Sequence, residues 1–157
     1  MTTNRSMPPG IIIPELAYND VVTAAAWLCR TFGFKERLRI GNHRCQLVFP
    51  GTARDLLSKS GRCGDASVIV MELNGEHPTR DIATQPLTHK VMVQIPNVDQ
   101  HYEHVKQSGA HILHAPETYP FGERQYTVED LGGHVWTFTQ SVADIPPEEW
   151  GGQLISP

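Results

Sequence analysis

Histidine supplies several of the side chains in this sequence that could hold a metal ion or move a proton. His101 and His104 are three residues apart in a predicted helix, where they share a face that we expect to be solvated. His111 and His114 are three apart in a predicted strand, so they should point to opposite sides and cannot bind one ion together. His134 precedes a strand at a turn, where a structural hydrogen bond is the expected role.

The sequence lacks the motifs of several other functional classes: thiol-metal sites, phosphate-binding loops, serine hydrolases, nucleic-acid binding and membrane spans. The cysteines, Cys29, Cys45 and Cys63, are odd in number and lack metal-type spacing, which predicts reduced thiols and a cytoplasmic location. Neither a glycine-rich phosphate loop nor a Gly-x-Ser-x-Gly elbow occurs. A net charge of −4 without a basic run argues against nucleic acid as a partner. No apolar run reaches the roughly 18 residues that span a membrane, so we expect no membrane partner.

The hairpin near the end of the chain has the strongest local signal. Residues 125–129 and 134–140 are rich in Thr, Val, Tyr, Trp and Phe, and the Asp-Leu-Gly-Gly between them suits a tight turn. Along the second strand, strict alternation places one set of side chains on one face and the other set on the opposite face. The two sets are Val135, Thr137 and Thr139, and His134, Trp136 and Phe138.

The same order of elements occurs twice along the chain. In the first copy a helix starts after a cap at Asn19 or Asp20 and stops at Gly33; in the second it starts after Asn97 and stops at Gly109. A strand precedes each helix and three follow it. The predicted strands are 11–17, 34–40, 45–49, 68–73, 90–95, 110–113, 125–129 and 134–140, with a long loop at 52–65.

These elements give a division of the chain into five parts. We predict a disordered leader at 1–10, a first module at 11–74, a linker at 75–88, a second module at 89–140 and a tail at 141–157.

One motif in the hairpin resembles a known family. The run Phe121-Gly-Glu-Arg-Gln-Tyr126, followed by Glu129-Asp130-x-Gly-Gly-His134-x-Trp136, is similar to the last hairpin of the vicinal oxygen chelate superfamily, in the branch of glyoxalase and bleomycin resistance proteins. The resemblance implies an α+β fold in which two βαβββ modules form a curved mixed sheet around a cavity.

Metal-dependent members of that superfamily take ligands, usually His and Glu, from the first and last strand of each module. Carried onto this sequence, the four places fall on Ile13, Glu72, Lys90 and Thr137, of which only Glu72 is a ligand type. A divalent ion needs about three convergent protein ligands, so we expect no metal or other cofactor. The fallback metal set, if strand registers shift, is Glu15, Glu72 and His89.

A cavity of this kind would be lined by alternate residues of the inner strands. The expected lining is Ile13, Glu15, Ala17, Val68, Val70, Glu72, Lys90, Met92, Gln94, Val135, Thr137 and Thr139. A buried ammonium needs a partner, so Lys90 should reach Glu15 or Glu72, unless it extends to the rim.

Aromatic residues near the loop before the hairpin complete the predicted site. We expect Tyr119, Phe121 and Tyr126, with Arg124 beside them, to contact a flat or anionic ligand, or to form a dimer contact. The candidate ligand-binding residues are Glu15, Glu72, Lys90, Met92, Gln94, Tyr119, Phe121, Arg124, Tyr126 and Thr137.

The resemblance and this set of residues together favour one function. We expect a homodimer similar to bleomycin resistance proteins, which binds or sequesters a small, planar or amphipathic molecule without a metal. The alternative is a metal-dependent lyase or isomerase of the glyoxalase type that uses the fallback set. A third possibility is a metal-free catalyst in which Lys90 or Glu72 acts as a general base.

Overall fold

The computed structural model describes residues 4, 6–8, 10–49, 66–73 and 88–155. The predicted loop at 52–65 and residues 75–87 of the predicted linker lie outside them. The chain divides into two compact units: Met1–His89 with Asp130–His134, and Lys90–Glu129 with Val135–Pro157. None of the helices in the described part of the chain has the length and apolarity needed to cross a membrane.

In its described residues, the first unit comprises a four-stranded sheet and a helix on one face. Its elements are β1 (Glu15–Tyr18), α1 (Val21–Phe32), β2 (Lys35–Ile40), β3 (Arg44–Val48) and β4 (Ser67–Glu72). The strands lie in the order β1-β4-β3-β2, with β1 parallel to β4. Helix α1 begins where the Asp20 carboxylate accepts a hydrogen bond from the Thr23 amide (2.9 Å), and it ends at Gly33 with a φ of 86°.

The second unit repeats this arrangement. Its elements are β5 (Val91–Gln94), α2 (Val98–Gln107), β6 (His111–Thr118), β7 (Glu123–Glu129) and β8 (Val135–Ser141), followed by a 3₁₀ turn at Pro147–Trp150. The strand order is β5-β8-β7-β6, with β5 parallel to β8. Asn97 caps α2 by accepting from the Gln100 amide at 2.9 Å. The predicted pair of βαβββ modules is therefore confirmed.

The first strand is shorter than predicted. Ile11 and Ile12 are 103% and 86% exposed, and the β1 ladder starts only at Glu15. The Pro14 carbonyl accepts a hydrogen bond from the Ile69 amide, but proline has no amide of its own to donate. The run of three isoleucines was therefore misleading, because β propensity does not make a strand where no neighbouring strand pairs with it.

Each helix covers one face of its sheet. In the first unit the apolar side of α1, including Leu28 and Phe32, is buried together with Leu16, Leu47 and Val70 of the sheet. In the second unit Val98 and Val105 of α2 are fully buried, as are Trp136, Phe138 and Val128 of the strands. Burial of each such large side chain stabilises the fold by about 1.5–3 kcal/mol.

A buried carboxylate organises the turn at residues 130–134, which belongs to the first unit. The Tyr18 hydroxyl donates to Asp130 Oδ2 at 2.6 Å, and the amides of Gly132 and His134 donate to Asp130 Oδ1. The His134 ring shares a hydrogen bond of 2.9 Å between its Nε2 and the Ala17 carbonyl oxygen. The structural role predicted for His134 is confirmed.

The turn that joins β6 to β7 is held against the C-terminal segment at Gly122. Its amide donates to the Tyr119 carbonyl (3.0 Å), and its carbonyl accepts from the amides of Val142 and Ala143. Gly122 has a φ of 82°, and a Cβ at this position would overlap the Ala143 carbonyl oxygen. Both features require glycine here.

We predict that Gly122→Ala destabilises the protein by about 3 kcal/mol or more, because left-handed backbone strain of about 1–2 kcal/mol adds to a clash with backbone. Gly109→Ala is the matched control: its φ is 78°, and a Cβ there would meet nothing within 4 Å. Urea unfolding followed by circular dichroism measures both changes. Equal losses of stability in the two variants would show that contact with Ala143 contributes nothing.

We also predict a loss of stability at alkaline pH from Tyr18 and Tyr126. Burial raises the pKa of both phenols above the ordinary value of 10.0. Their contribution is fully present below pH 10; above it the unfolded chain ionises first, so the free energy of unfolding falls as pH rises. Tyr126→Phe should reduce the slope of that fall by about 1.4 kcal/mol per pH unit. An unchanged slope in urea titrations at several alkaline pH values would contradict this.

Candidate functional site

The face of the first sheet that α1 leaves uncovered carries polar and apolar side chains together. We call it the first open face; strand register places Glu15, Ala17, Arg44, Gln46, Ile69 and Met71 on it. Gln46 and Ile69 are buried, whereas Glu15 is exposed.

The predicted lining from β4 was wrong by one residue. Tyr18 pairs with Glu72 and Leu16 pairs with Val70, so Val68, Val70 and Glu72 share the helix-covered side of the sheet. Glu15 pairs with Ile69 and lies on the first open face. A shift of one residue reverses a strand's faces, and β4 is apolar on both sides, so its sequence has no alternation to reveal the register.

Glu15 already has a partner on its own sheet. The Arg44 guanidinium donates from Nη2 to Glu15 Oε1 in an ion pair between β3 and β1. Lys90 is exposed and belongs to the second unit, whereas Glu15 and Glu72 belong to the first. Its pairing with Glu15 or Glu72, or its extension to the rim, stays a prediction. Sequence reasoning missed Arg44, although the alternation from Arg44 to Val48 would have placed it with Gln46.

A second series of hydrogen bonds between polar groups crosses the first open face. Arg37 Nη1 donates to Gln46 Oε1 at 2.5 Å, and Gln46 Nε2 donates to the Ser6 carbonyl at 2.8 Å. The side chain of Gln46 is therefore held from both ends, and a residue of the predicted leader lies against this face.

The face of the second sheet opposite α2 agrees with the predicted alternation. We call it the second open face; its members include Met92, Gln94, Glu123, Gln125, Thr127, Thr137 and Thr139. Met92 pairs with Thr137 and Gln94 with Thr139, as expected. Met92 is 53% exposed, and the hydroxyls of Thr127 and Thr137 lie 3.3 Å apart, within hydrogen-bonding distance.

A half-buried carboxylate lies at one end of the second open face. Glu123 Oε2 accepts hydrogen bonds from Gln125 Nε2 and from the buried Thr139 hydroxyl, both at 2.7 Å. Glu123 forms no ion pair with any other residue in the described part of the chain. Sequence reasoning did not single out Glu123, although its place two residues before Gln125 puts it on the same face.

Aromatic rings gather beside this carboxylate. Tyr119 and Phe121 stack with their centroids 5.2 Å apart and 11° between their planes, and Trp150 packs edge-on against Phe121 at 5.8 Å. We call these three rings the aromatic corner. Trp150 is 42% exposed, while Tyr119 and Phe121 are half-buried.

Two of the predicted ligand contacts lie on the other side of the sheet. Tyr126 is 1% exposed, and its hydroxyl shares a hydrogen bond of 2.6 Å with Nδ1 of His101. Arg124 pairs with Asp99 of α2 at 2.7 Å. Both side chains therefore occupy positions of β7 that face α2, so their predicted grouping with Tyr119 and Phe121 on one side of the sheet was wrong. The predicted solvation of the His101 side is also wrong: its ring packs on Phe138 at 4.3 Å.

A β-bulge changes the prediction for the two histidines of β6. His111 pairs with Glu129 and His114 with Thr127, with a register shift between Ile112 and His114. The extra residue restores both histidines to the same face, which strict alternation had ruled out. His111 Nδ1 lies 3.7 Å from Glu129 Oε2, and its side chain is largely exposed.

The open faces do not carry a donor set that fits a divalent ion. Glu15 and Glu72 lie on opposite sides of their sheet, so the fallback set with His89 cannot converge. Across the described ranges, His, Cys, Asp and Glu form no group of three or more that could hold a metal.

The described cysteines also lack the character of a nucleophile. Burial, with Glu36 nearby, raises the pKa of the Cys45 thiol to about 12, and burial raises the pKa of Cys29 as well. Only the thiolate attacks, and a raised pKa favours the neutral thiol at both positions.

Comparison with known proteins agrees with this fold. Residues 10–138 match the family described as Glyoxalase/Bleomycin resistance protein/Dioxygenase superfamily. No match was found among curated proteins.

Solved structures provide several similar proteins. TioX from Micromonospora sp. ML1 is 34% identical, with a TM-score of 0.61 over 83% of this chain and 97% of its own. A glyoxalase/bleomycin resistance protein/dioxygenase from Nocardioides is 18% identical, with a TM-score of 0.59 over 94% and 91% of the two chains. TnmS3, an antibiotic binding protein from Streptomyces sp. CB03234, is 17% identical, with a TM-score of 0.58 over 82% of this chain and 93% of its own.

With two βαβββ units and a family match over most of its length, this chain belongs to the glyoxalase/bleomycin resistance protein/dioxygenase superfamily.

Proposed function

We propose that this protein binds a small, planar or amphipathic organic molecule on an open face of its sheets and does so without a metal ion. The observation that carries the proposal is the chemistry of the strands that hold metal in metal-dependent relatives. On the open faces these strands present a carboxylate already paired with an arginine, Glu15 with Arg44, and a hydroxyl already close to another, Thr137 with Thr127.

The mixture of side chains on the second open face supports an organic ligand. Small-molecule sites are mostly apolar with a few oriented polar groups. Here the exposed thioether of Met92 lies in the same row as Thr137, and the aromatic corner lies at the end of the sheet near Glu123. Methionine adapts to ligands of varied shape, which suits a binding protein.

The comparisons support the proposal at the level of the fold. TnmS3 is described as an antibiotic binding protein, so this fold serves binding in at least that protein. The glyoxalase-type alternative would need several free ligands on one face, and the opposite orientations of Glu15 and Glu72 weigh against it.

We further propose that the protein acts as a homodimer. Large apolar side chains of the C-terminal segment are exposed, among them Leu154 and Ile155, and a second copy would cover them. Light scattering coupled to size-exclusion chromatography tests this, and a monomer at micromolar concentration would contradict it.

We predict that binding of a neutral amphipathic dye, N-phenyl-1-naphthylamine, is saturable and independent of metal. Dialysis against EDTA should leave the dissociation constant of the dye unchanged within about twofold, because the described residues include no group of carboxylates placed to bind a metal ion. Fluorescence titration measures the affinity, and elemental analysis of the purified protein measures the metal. Stoichiometric zinc, nickel or iron, together with loss of dye binding after chelation, would overturn the proposal.

We predict that Met92→Asp weakens this dye about tenfold, because the variant places a charge in the row of side chains that would contact an apolar ring. Leu131→Asp is the control, since Leu131 is exposed to a similar degree (47% against 53%) but lies in the turn at 130–134. Both sites are exposed, so folding should be preserved, which thermal melts check. Equal affinity in Met92→Asp and the parent protein would place the dye elsewhere.

A further inference from the structure

The carboxylate of Glu123 is oriented by neutral hydrogen-bond donors and can accept a further hydrogen bond from a ligand. Both of its described hydrogen-bond donors, Gln125 and Thr139, are neutral, and both reach the same oxygen, Oε2. The hydrogen bonds hold the side chain in one orientation but leave its negative charge uncompensated by any other described residue. A carboxylate bonded this way keeps Oε1 for a further donor.

The aromatic corner lies on the same side of the sheet as this carboxylate. The Tyr119 amide donates to the Glu123 carbonyl at 2.8 Å, which makes the two residues neighbours across the β6–β7 hairpin. Residues opposite each other in an antiparallel pair share a face, with Cβ atoms about 4.5–5.5 Å apart. The preceding pair that shares this face is Glu117 with Gln125, whereas Thr118 and Arg124 face α2.

Hydrogen bonds as well as ring contacts hold the corner in place. The Tyr119-Pro-Phe-Gly122 turn is closed by its own hydrogen bond and fixed to Val142 and Ala143 through Gly122. Trp150 Nε1 donates to the Ile145 carbonyl at 3.4 Å and packs against Phe121. A ligand would therefore meet rings that are already ordered, which lowers the entropy lost on binding.

We propose that Glu123 and the aromatic corner bind the positively charged, flat end of an organic cation, such as a protonated nitrogen heterocycle or an aryl amidine. The N–H of the cation donates to Glu123, and its ring extends the existing stack of Tyr119 and Phe121. Charge complementarity supports this choice, because a half-buried carboxylate beside aromatic faces attracts a cation through both the ion pair and the ring quadrupoles. This inference rests on the proposed function and assigns a chemical class to its ligand.

Paired dyes and charge-matched variants test the assignment. Proflavine is flat, cationic and carries N–H donors, whereas N-phenyl-1-naphthylamine is neutral. Glu123→Gln removes the charge but keeps an oxygen that accepts from Gln125 and Thr139. Glu103→Gln removes the same charge from the exposed side of α2. Affinities are measured by fluorescence titration at physiological ionic strength, and thermal melts verify folding.

We expect Glu123→Gln to weaken proflavine about tenfold, the effect of losing a hydrogen bond to a charged group. The same variant should leave the neutral dye unchanged, and Glu103→Gln should change neither dye. Phe121→Leu should weaken proflavine about threefold through lost stacking. Rising salt should reduce proflavine binding in the parent protein and much less in Glu123→Gln.

Two results would overturn the assignment in distinguishable ways. If the neutral dye binds but proflavine does not, or if proflavine binds equally to the parent and to Glu123→Gln, the cation site is wrong while the proposed binding function stands. If neither dye binds, the proposed function and this inference both fail.

Discussion

The register of the two parallel strand pairs is the constraint on which the rest of this structure depends. β1 pairs with β4, and β5 with β8, each pair lying under the helix of its own unit. In each unit one face of the sheet must meet the apolar side of that helix, so register decides which side chains are buried beneath it and which remain for binding. The register of β4 differs by one residue from the predicted one, and this places Glu72 on the opposite side of the sheet from Glu15. The two carboxylates therefore cannot bind one metal ion together.

Charges on the two open faces are arranged differently. On the first, Glu15 is neutralised by Arg44, and Arg37 is engaged with Gln46, so the polar groups are largely committed to one another. On the second, Glu123 is held by neutral donors and keeps its charge. Because a charge without a counter-ion interacts more strongly with an incoming ion than a paired one does, the second face offers the stronger selection for ligand charge.

The C-terminal segment contributes to the site through backbone contacts. The Gly122 carbonyl accepts hydrogen bonds from the amides of Val142 and Ala143, and farther along the same segment Trp150 packs against Phe121. The aromatic corner therefore combines rings from two segments of the chain that are joined by backbone hydrogen bonds at Gly122. Such a surface is preorganised, since its order does not wait for the ligand.

The sequence by itself determined the repeated order of elements, the Asn97 cap and the alternation along β8, and it narrowed the first cap to Asn19 or Asp20. These signals are local: a side chain that caps the next turn, or a strand with one polar face, carries its evidence within a few residues. The placement of Met92, Gln94, Thr137 and Thr139 on a common face followed from them.

Tertiary structure alone decided the features that depend on pairing between distant segments. The apolar run of β4 could lie in either register. The bulge in β6 places His111 and His114 on the same face. Tyr126 and Arg124 bind His101 and Asp99 of α2. Pairing between distant segments also decides the charges. It brings Arg44 to Glu15 but leaves Glu123 without an ion-pair partner among the described residues. The electrostatic state of a side chain is set by its neighbours in space, and those neighbours come from strands that the local pattern does not connect.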